Sequence, residues 1–262
     1  MDAIDYQRFL DELTSTLDAD PLVLGLVALG STADAAYRDR WSDYDFWIIT
    51  SNGSQARYLD TFSWLPRADD ILITVSHGPS RRSVLYRDRH QAEYAVFDPE
   101  EAVLGKIERF RVLIDRRDIG RLAEAIRLQT RDERSSTLAR PDKLENLCML
   151  LWTAYGRWAR GERLSAQRYI QFSLDAFLDL LVAHQALKRP PSADELETRR
   201  RLERLEPELG RELGRIGLLA PAEAGVALLE LAHKRLALRA PGLAWEKVLA
   251  VRQWLQEAAA AA

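Results

Sequence analysis

The hydrophobic period of this chain changes once, near Gly120, and that change limits the folds open to it. Before it, short apolar runs alternate with polar turns, the pattern of strands in a sheet. After it, apolar residues recur three and four apart, the pattern of helices packed on one another. The expected architecture is an α/β (α+β) domain with a mixed sheet, followed by an α-helical bundle. With 262 residues there is room for two cores of ordinary size. The polar stretch Arg131 to Ser136, with Pro141 able to open a helix, puts the boundary within residues 132–141. The domains are read as 1–135 and 136–262.

In the first half, Leu22 to Ala28 is a continuous apolar run, as in a buried strand. Asp43 to Thr50 alternates, with Asp43, Asp45 and Trp47 on one face and Tyr44, Phe46 and Ile48 on the other. Asp70 to Ser76, Ser83 to Tyr86, Glu93 to Phe97 and Arg111 to Asp115 read as further strands. A helix from Ile4 to Leu17 precedes them, its stripe formed by Ile4, Phe9, Leu10, Leu13 and Leu17. In the second half, Leu144, Leu147, Cys148, Leu151, Trp152, Tyr155 and Trp158 mark one helix. Ser165 is the expected N-cap of a second, running to Leu187 and stopped by Lys188-Arg189-Pro190-Pro191. Ala193 to Leu205, Pro221 to Leu238 and Trp245 to Ala259 complete the bundle, with Pro241-Gly242 breaking the chain between the last two.

Composition narrows the function. Apolar residues make up 47% and charged residues 29%, values typical of a globular protein with a real core. The net charge is only -3, so no global positive field recruits nucleic acid. The run Arg199-Arg200-Arg201 is interleaved with Glu203 and Glu206 and reads as a solvated helix face. Cys148 is the only cysteine, which rules out an internal disulfide and fits a reducing cytoplasm. It also leaves zinc without a ligand set, because the histidines show no ligand spacing. The acidic start, Met1 to Asp5, lacks the basic and apolar regions of a secretory signal, and no apolar run is long enough to span a membrane. Trp152, Trp158, Trp245 and Trp254 read as packing aromatics. Neither GxGxxG nor GxxxxGK[ST] occurs.

The chemistry concentrates in Gly30-Ser31 and, after eleven intervening residues, Asp43-Tyr44-Asp45. Side chains two apart on a strand project together, so Asp43 and Asp45 share a face, and Ser31 can return towards them from the preceding turn. Hard oxygen donors of this kind suit Mg²⁺, which is usually held by a few carboxylates and substrate phosphates. Glu93, opening an apolar strand at what would be a sheet edge, is the expected third carboxylate; Asp98, Glu100 and Glu101 are nearby alternatives. Glycine lets backbone N–H groups approach a phosphate, and the serine hydroxyl adds a donor.

Gly30-Ser31 … Asp43-Tyr44-Asp45 in a strand–turn–strand setting resembles the nucleotidyltransferase superfamily typified by DNA polymerase beta. The length and helical second half resemble, within it, the bacterial nucleotidyltransferases that adenylylate aminoglycosides or lincosamides. The signature covers about 25 residues. The resemblance implies that Asp43, Asp45 and Glu93 hold a two-ion Mg²⁺ site and that Gly30 and Ser31 hold the nucleotide phosphates. It implies transfer of a nucleoside monophosphate, AMP from ATP, to a hydroxyl of a small-molecule acceptor such as an aminoglycoside-like antibiotic. Pyrophosphate leaves, and Glu93 takes the acceptor's proton. It further implies that the helical domain closes the cleft and selects the acceptor.

Within that second domain, Arg157 and Arg160 could reach triphosphate oxygens or simply be exposed helix arginines. Glu145 could join the acceptor site or sit favourably near a helix N-terminus. Asp175 and Asp179, amid the apolar Phe172 to Ala183 segment, could receive a cationic acceptor or form salt bridges within the bundle. The helical surface permits a homodimer. Two rivals stand beside the small-molecule reading: transfer to a protein side chain or nucleic-acid end, and a non-catalytic nucleotide-sensing or antitoxin-like module.

Overall fold

The computed structural model of the chain describes residues 3–39, 41–138, 143–187 and 197–260. The chain divides into two compact units, Met1–Asp132 and Glu133–Ala262. The first unit opens with α1 (Ala3–Asp18) and β1 (Val23–Leu29), then the single-turn α2 (Gly30–Ala33) and β2 (Tyr44–Thr50). After α3 (Ala56–Leu59) come β3 (Ile71–Ser76), β4 (Arg81–Tyr86) and β5 (Gln91–Phe97). α4 (Pro99–Ala102) and β6 (Phe110–Asp115) follow, and α5 (Ile119–Leu138) begins in the first unit and ends in the second. The strands form one mixed sheet in the order β3-β4-β5-β2-β1-β6. Only the β2–β5 pairing is parallel.

Alternation along β2 builds a core on each face of the sheet. Tyr44, Phe46 and Ile48 pack with Tyr6, Phe9, Leu10 and Leu13 of α1. Trp47 and Ile49 pack on the other side with Ile119, Ala123 and Ile126 of α5. Phe9 stacks on Tyr44 at a centroid distance of 3.7 Å and 10° between planes, and full burial of such a ring contributes about 2 kcal/mol. The side chain of Ile4, expected in the α1 stripe, lies outside the described residues.

Asp20 ties the end of α1 to α3. Its carboxylate accepts the Leu22 N–H at 3.0 Å and the Tyr58 O–H at 2.8 Å, and lies 3.1 Å from Arg57. Burial raises the carboxyl pKa, but the Leu22 amide, the Tyr58 hydroxyl and Arg57 outweigh it and hold the group below its ordinary value. Because the folded pKa is the lower one, the stabilisation is present above the unfolded pKa and is lost as pH falls through the folded pKa. Asp20→Asn should therefore cost about 1 kcal/mol near neutral pH. The difference should shrink as pH falls through the folded pKa, where the wild-type group itself becomes protonated. Urea titrations over a descending pH series read this directly.

The second unit contains α6 (Lys143–Ala159), α7 (Arg163–Ala183), α8 (Leu202–Leu205), α9 (Pro207–Ile216), α10 (Pro221–Leu236) and α11 (Trp245–Ala260). Its core joins Leu147 and Leu151 of α6, Phe177 and Leu181 of α7, Leu213 of α9, Leu228 of α10 and Leu255 of α11. No helix among the described residues is long and apolar enough to cross a membrane.

Several sequence expectations are corrected here. The polar stretch Arg131 to Ser136 holds the division between the units, after Asp132, but it does so inside α5; it has no glycine or proline, and a polar run without breakers continues a helix. Pro141 lies outside the described residues. Ser165 is not an N-cap, since α7 has already begun at Arg163, with Glu162 in the cap position. Gly161, at φ +80°, turns the chain between α6 and α7 in a conformation that glycine adopts without penalty. α7 ends at Ala183 rather than Leu187, and Lys188 to Pro191 lie outside the described residues. Of the helix expected over Ala193 to Leu205, residues 193–196 lie outside them and 202–205 form α8. α9 was not anticipated: its buried Leu209, Leu213 and Ile216 have helical spacing but are spread among glutamates and arginines. Trp152 and Trp254 contact each other at 5.5 Å yet are 39% and 49% exposed, so they are surface aromatics rather than core.

Candidate active site

β1 runs apolar to its end at Leu29, and Gly30, with φ of +52°, turns the chain into α2. That conformation costs roughly 1 kcal/mol for a residue with a Cβ. A Cβ here would also stand 3.7 Å from Asp45 Oδ2, so the turn lies against the carboxylate. Gly30→Ala should therefore weaken Mn²⁺ binding a few-fold and cost about 1 kcal/mol of stability, readable by electron paramagnetic resonance titration and urea unfolding. The Gly30 N–H is not available to a phosphate, because it donates to the Arg109 carbonyl at 3.0 Å. Ser31, which follows, is buried.

The carboxylates come from two adjacent strands. Asp45 lies on β2 directly beside Glu93 on β5, and residues paired across a ladder project from the same face. Asp43 immediately precedes β2. Oxygen atoms of Asp43, Asp45 and Glu93 lie within 4.8 Å of one another. The expected edge position of Glu93 is corrected: β5 is interior, between β4 and β2, because the Arg81–Tyr86 strand pairs along its other side. Asp98 is instead the cap of α4, accepting the Glu100 and Glu101 N–H groups at 2.9 Å, and Glu101 closes the reciprocal capping contact.

Two groups that sequence reasoning missed fix the aspartate-bearing backbone. The Asp45 N–H donates to Thr32 Oγ1 at 2.8 Å. Tyr6 Oη lies 2.8 Å from Thr32 Oγ1 and donates to the Asp43 carbonyl at 2.7 Å. Thr32 Oγ1 also lies 3.3 Å from the Asp43 carbonyl, to which it can donate, so the Thr32 and Tyr6 hydroxyls both converge on that carbonyl while Thr32 accepts the Asp45 N–H. Burial pushes the Tyr6 phenol up to about 12, against the lowering effects of the Thr32 hydrogen bond and Arg38. The proton thus stays available for donation. Thr32 was legible only as the residue after Gly30-Ser31, and Tyr6 only as another aromatic on α1.

Positive charge near the turn was also missed. The Arg38 guanidinium lies 3.9 Å over the Tyr6 ring, and that of Arg109 lies 3.9 Å over Tyr37. Both are anchored by stacking. The arginines expected to serve phosphate, Arg157 and Arg160, belong to the second unit, where both pair with Glu162 at 2.7 Å and 3.1 Å. Glu145 pairs there with Lys247 at 3.0 Å. Asp179 pairs with Arg134 at 3.1 Å and Lys143 at 3.7 Å, and Asp175 with Arg199. Salt bridging within the bundle accounts for both aspartates. Cys148 is buried, which pushes its thiol up to about 11 and disfavours the metal-binding thiolate.

No family model matches this sequence, and no curated protein does. Among solved structures, the chain is similar to an aminoglycoside 6-adenyltransferase from Bacillus subtilis. The identity is 12%, the alignment covers 96% of this chain and 97% of that one, and the TM-score is 0.38. It is also similar to a nucleotidyltransferase-like protein from Exiguobacterium sibiricum, at 13% identity over 90% of this chain and 77% of that one, with a TM-score of 0.39. Likeness at this level assigns no activity.

Proposed function

We propose that this chain is a Mg²⁺-dependent nucleotidyltransferase that moves a nucleoside monophosphate, AMP from ATP, to a hydroxyl of a small-molecule acceptor. The observation that supports this reading is the meeting of the Asp43, Asp45 and Glu93 carboxylates beside the Gly30-Ser31 turn. The donor set fits the metal: three hard oxygen ligands within 4.8 Å of one another, with no thiolate or imidazole among them, suit Mg²⁺. Bound there, Mg²⁺ would neutralise charge on the nucleotide's phosphate oxygens.

The remaining work falls to the chain's own groups. Ser31 and the N–H groups after Gly30 orient the phosphates, with Arg38 and Arg109 as nearby positive charge. Tyr6 and Thr32 hold the Asp43 to Asp45 backbone still. The acceptor oxygen forms a bond to the α-phosphorus as the bond to the bridging oxygen of pyrophosphate breaks. The acceptor's proton passes to Glu93, which is exposed and therefore reachable. No side chain becomes covalently modified.

The test is transfer from ATP labelled at the α-phosphate, with Mg²⁺, to a panel of aminoglycosides and lincosamides and to a cell lysate. Label on a small molecule is the expected result. Label on a protein band or nucleic acid would replace the acceptor class while keeping the chemistry. Failure to bind both Mn²⁺ and nucleotide would overturn the reading in favour of a non-catalytic module.

A further inference from the structure

The carboxylates occupy one end of a row that continues across the sheet. Asp45 pairs with Glu93, Glu93 with Ser83, and Ser83 with Val75. Directly paired residues share a face, so all of them project on the carboxylate side. A second row beside it pairs Gln91 with Leu85 and Leu85 with Ile73. The register shift between Ile71 and Ile73 brings this about. Ile71 packs into the α1-side core, whereas the bulge turns Ile73 and Val75 to the opposite face.

This end of the face is open. Ile73 is 48% and Val75 43% exposed, and strands spaced about 4.8 Å apart put Val75 roughly 10 Å from Glu93. The shelf carries no acidic side chain beyond Glu93: the residues of β3 and β4 on that face are Ile73, Val75, Arg81, Ser83 and Leu85. The Ser83 hydroxyl lies 2.8 Å from His77 Nε2, which fixes a polar group between the apolar shelf and Glu93. Beyond the site's own carboxylates this part of the face offers a polycation no further acidic partner, and Arg81 projects from the same face.

We propose that the Ile73–Val75–Leu85 shelf is the acceptor floor of the transfer site and takes a hydroxyl compound with one apolar face rather than a polycationic one. The inference rests on the nucleotidyltransferase reading, which supplies the reason for an acceptor beside Glu93. The hydroxyl sits over Ser83 and Glu93, and the apolar face lies across β4 and β3. Contact with Ile73 and Val75 supplies affinity in proportion to the apolar area covered.

The experiment uses the full chain loaded with Mn²⁺ and a series of glucosides with methyl, butyl and hexyl tails, with kanamycin as the polycation. Mn²⁺ binding, followed by electron paramagnetic resonance, tests the underlying reading by itself. Ligand NMR then reads the shelf. Binding should tighten about threefold for each added methylene, with sugar protons broadened by Mn²⁺ more than tail protons. Ile73→Ser/Val75→Ser, at exposed positions, should erase the dependence on tail length and leave Mn²⁺ binding unchanged. The shelf is overturned, with the metal reading intact, by tail-length dependence that survives the double variant. Binding of kanamycin without any binding of the glucosides overturns it equally. So does a dimer in sedimentation that the double variant dissolves, because a second copy would then cover this face.

Discussion

Asp45→Asn should cut the proposed nucleotidyl transfer by orders of magnitude while leaving the fold intact. Asp45 is paired with Glu93 across the ladder, and carboxylate oxygens of Asp43, Asp45 and Glu93 lie within 4.8 Å of one another. Replacing its carboxylate removes a unit of charge and a hard donor, and asparagine's neutral carbonyl is a weaker partner for Mg²⁺. The loss falls on an interaction strongest in the transition state, where phosphate charge is redistributed. Transfer should drop by at least about a thousandfold, equivalent to roughly 4 kcal/mol of lost transition-state stabilisation. Clustered carboxylates repel one another, and a bound divalent cation relieves that repulsion. Mg²⁺ should then raise the melting temperature of wild type and not that of the variant. A ligand at a hundred times its Kd adds about 2.7 kcal/mol to a protein that binds it only when folded. A variant that keeps both transfer and Mg²⁺ stabilisation would remove Asp45 from the site.

What could be read from the sequence follows from what periodicity encodes. The alternation from Asp43 to Thr50 assigned each residue of β2 to its face, and Trp47 and Phe46 do pack on opposite sides. Period alone says nothing about strand order, which is why Glu93 was expected at an edge although β4 pairs beyond it. Nor does it report bulges: the shift after Ile71 moves Ile73 and Val75 to the carboxylate face, against the simple alternation of their numbers. The helical half was harder where charge hides an apolar stripe, as in α9, and the polar run Arg131 to Ser136, which does hold the division between the units, lies inside one helix rather than between two. The three carboxylates were visible because their residue types are chemically unusual at strand starts. Thr32 and Tyr6 were not, because hydroxyls that serve the backbone carry no sequence signature and are recognised only through their partners.

Those partners make Thr32 the sharpest test of how the site is held. Thr32 is fully buried, and its hydroxyl both accepts the Asp45 N–H and meets Tyr6 Oη. Thr32→Val keeps the shape and removes the oxygen. The Asp45 N–H loses that acceptor and Tyr6 keeps only the Asp43 carbonyl, at a cost of about 1–3 kcal/mol. Thr32→Ser does the reverse, keeping the hydroxyl and losing a buried methyl worth about 1 kcal/mol. If the hydroxyl positions the aspartates, the two variants should separate in function more than in stability. Thr32→Ser should retain wild-type Mn²⁺ affinity and kcat. Thr32→Val should bind Mn²⁺ about tenfold more weakly, the effect of roughly 1.4 kcal/mol in ligand alignment, with kcat falling more than KM rises. Tyr6→Phe should fall between them, because its ring still lies 4.4 Å from that of Tyr44 and still underlies Arg38, while the Asp43 carbonyl keeps only the longer 3.3 Å bond from Thr32. Equal losses of function in the serine and valine variants, tracking stability alone, would reduce Thr32 to a packing residue. A valine variant with unchanged metal affinity would show instead that Asp43 and Asp45 hold their geometry without the hydroxyl chain, through the β2 ladder on either side.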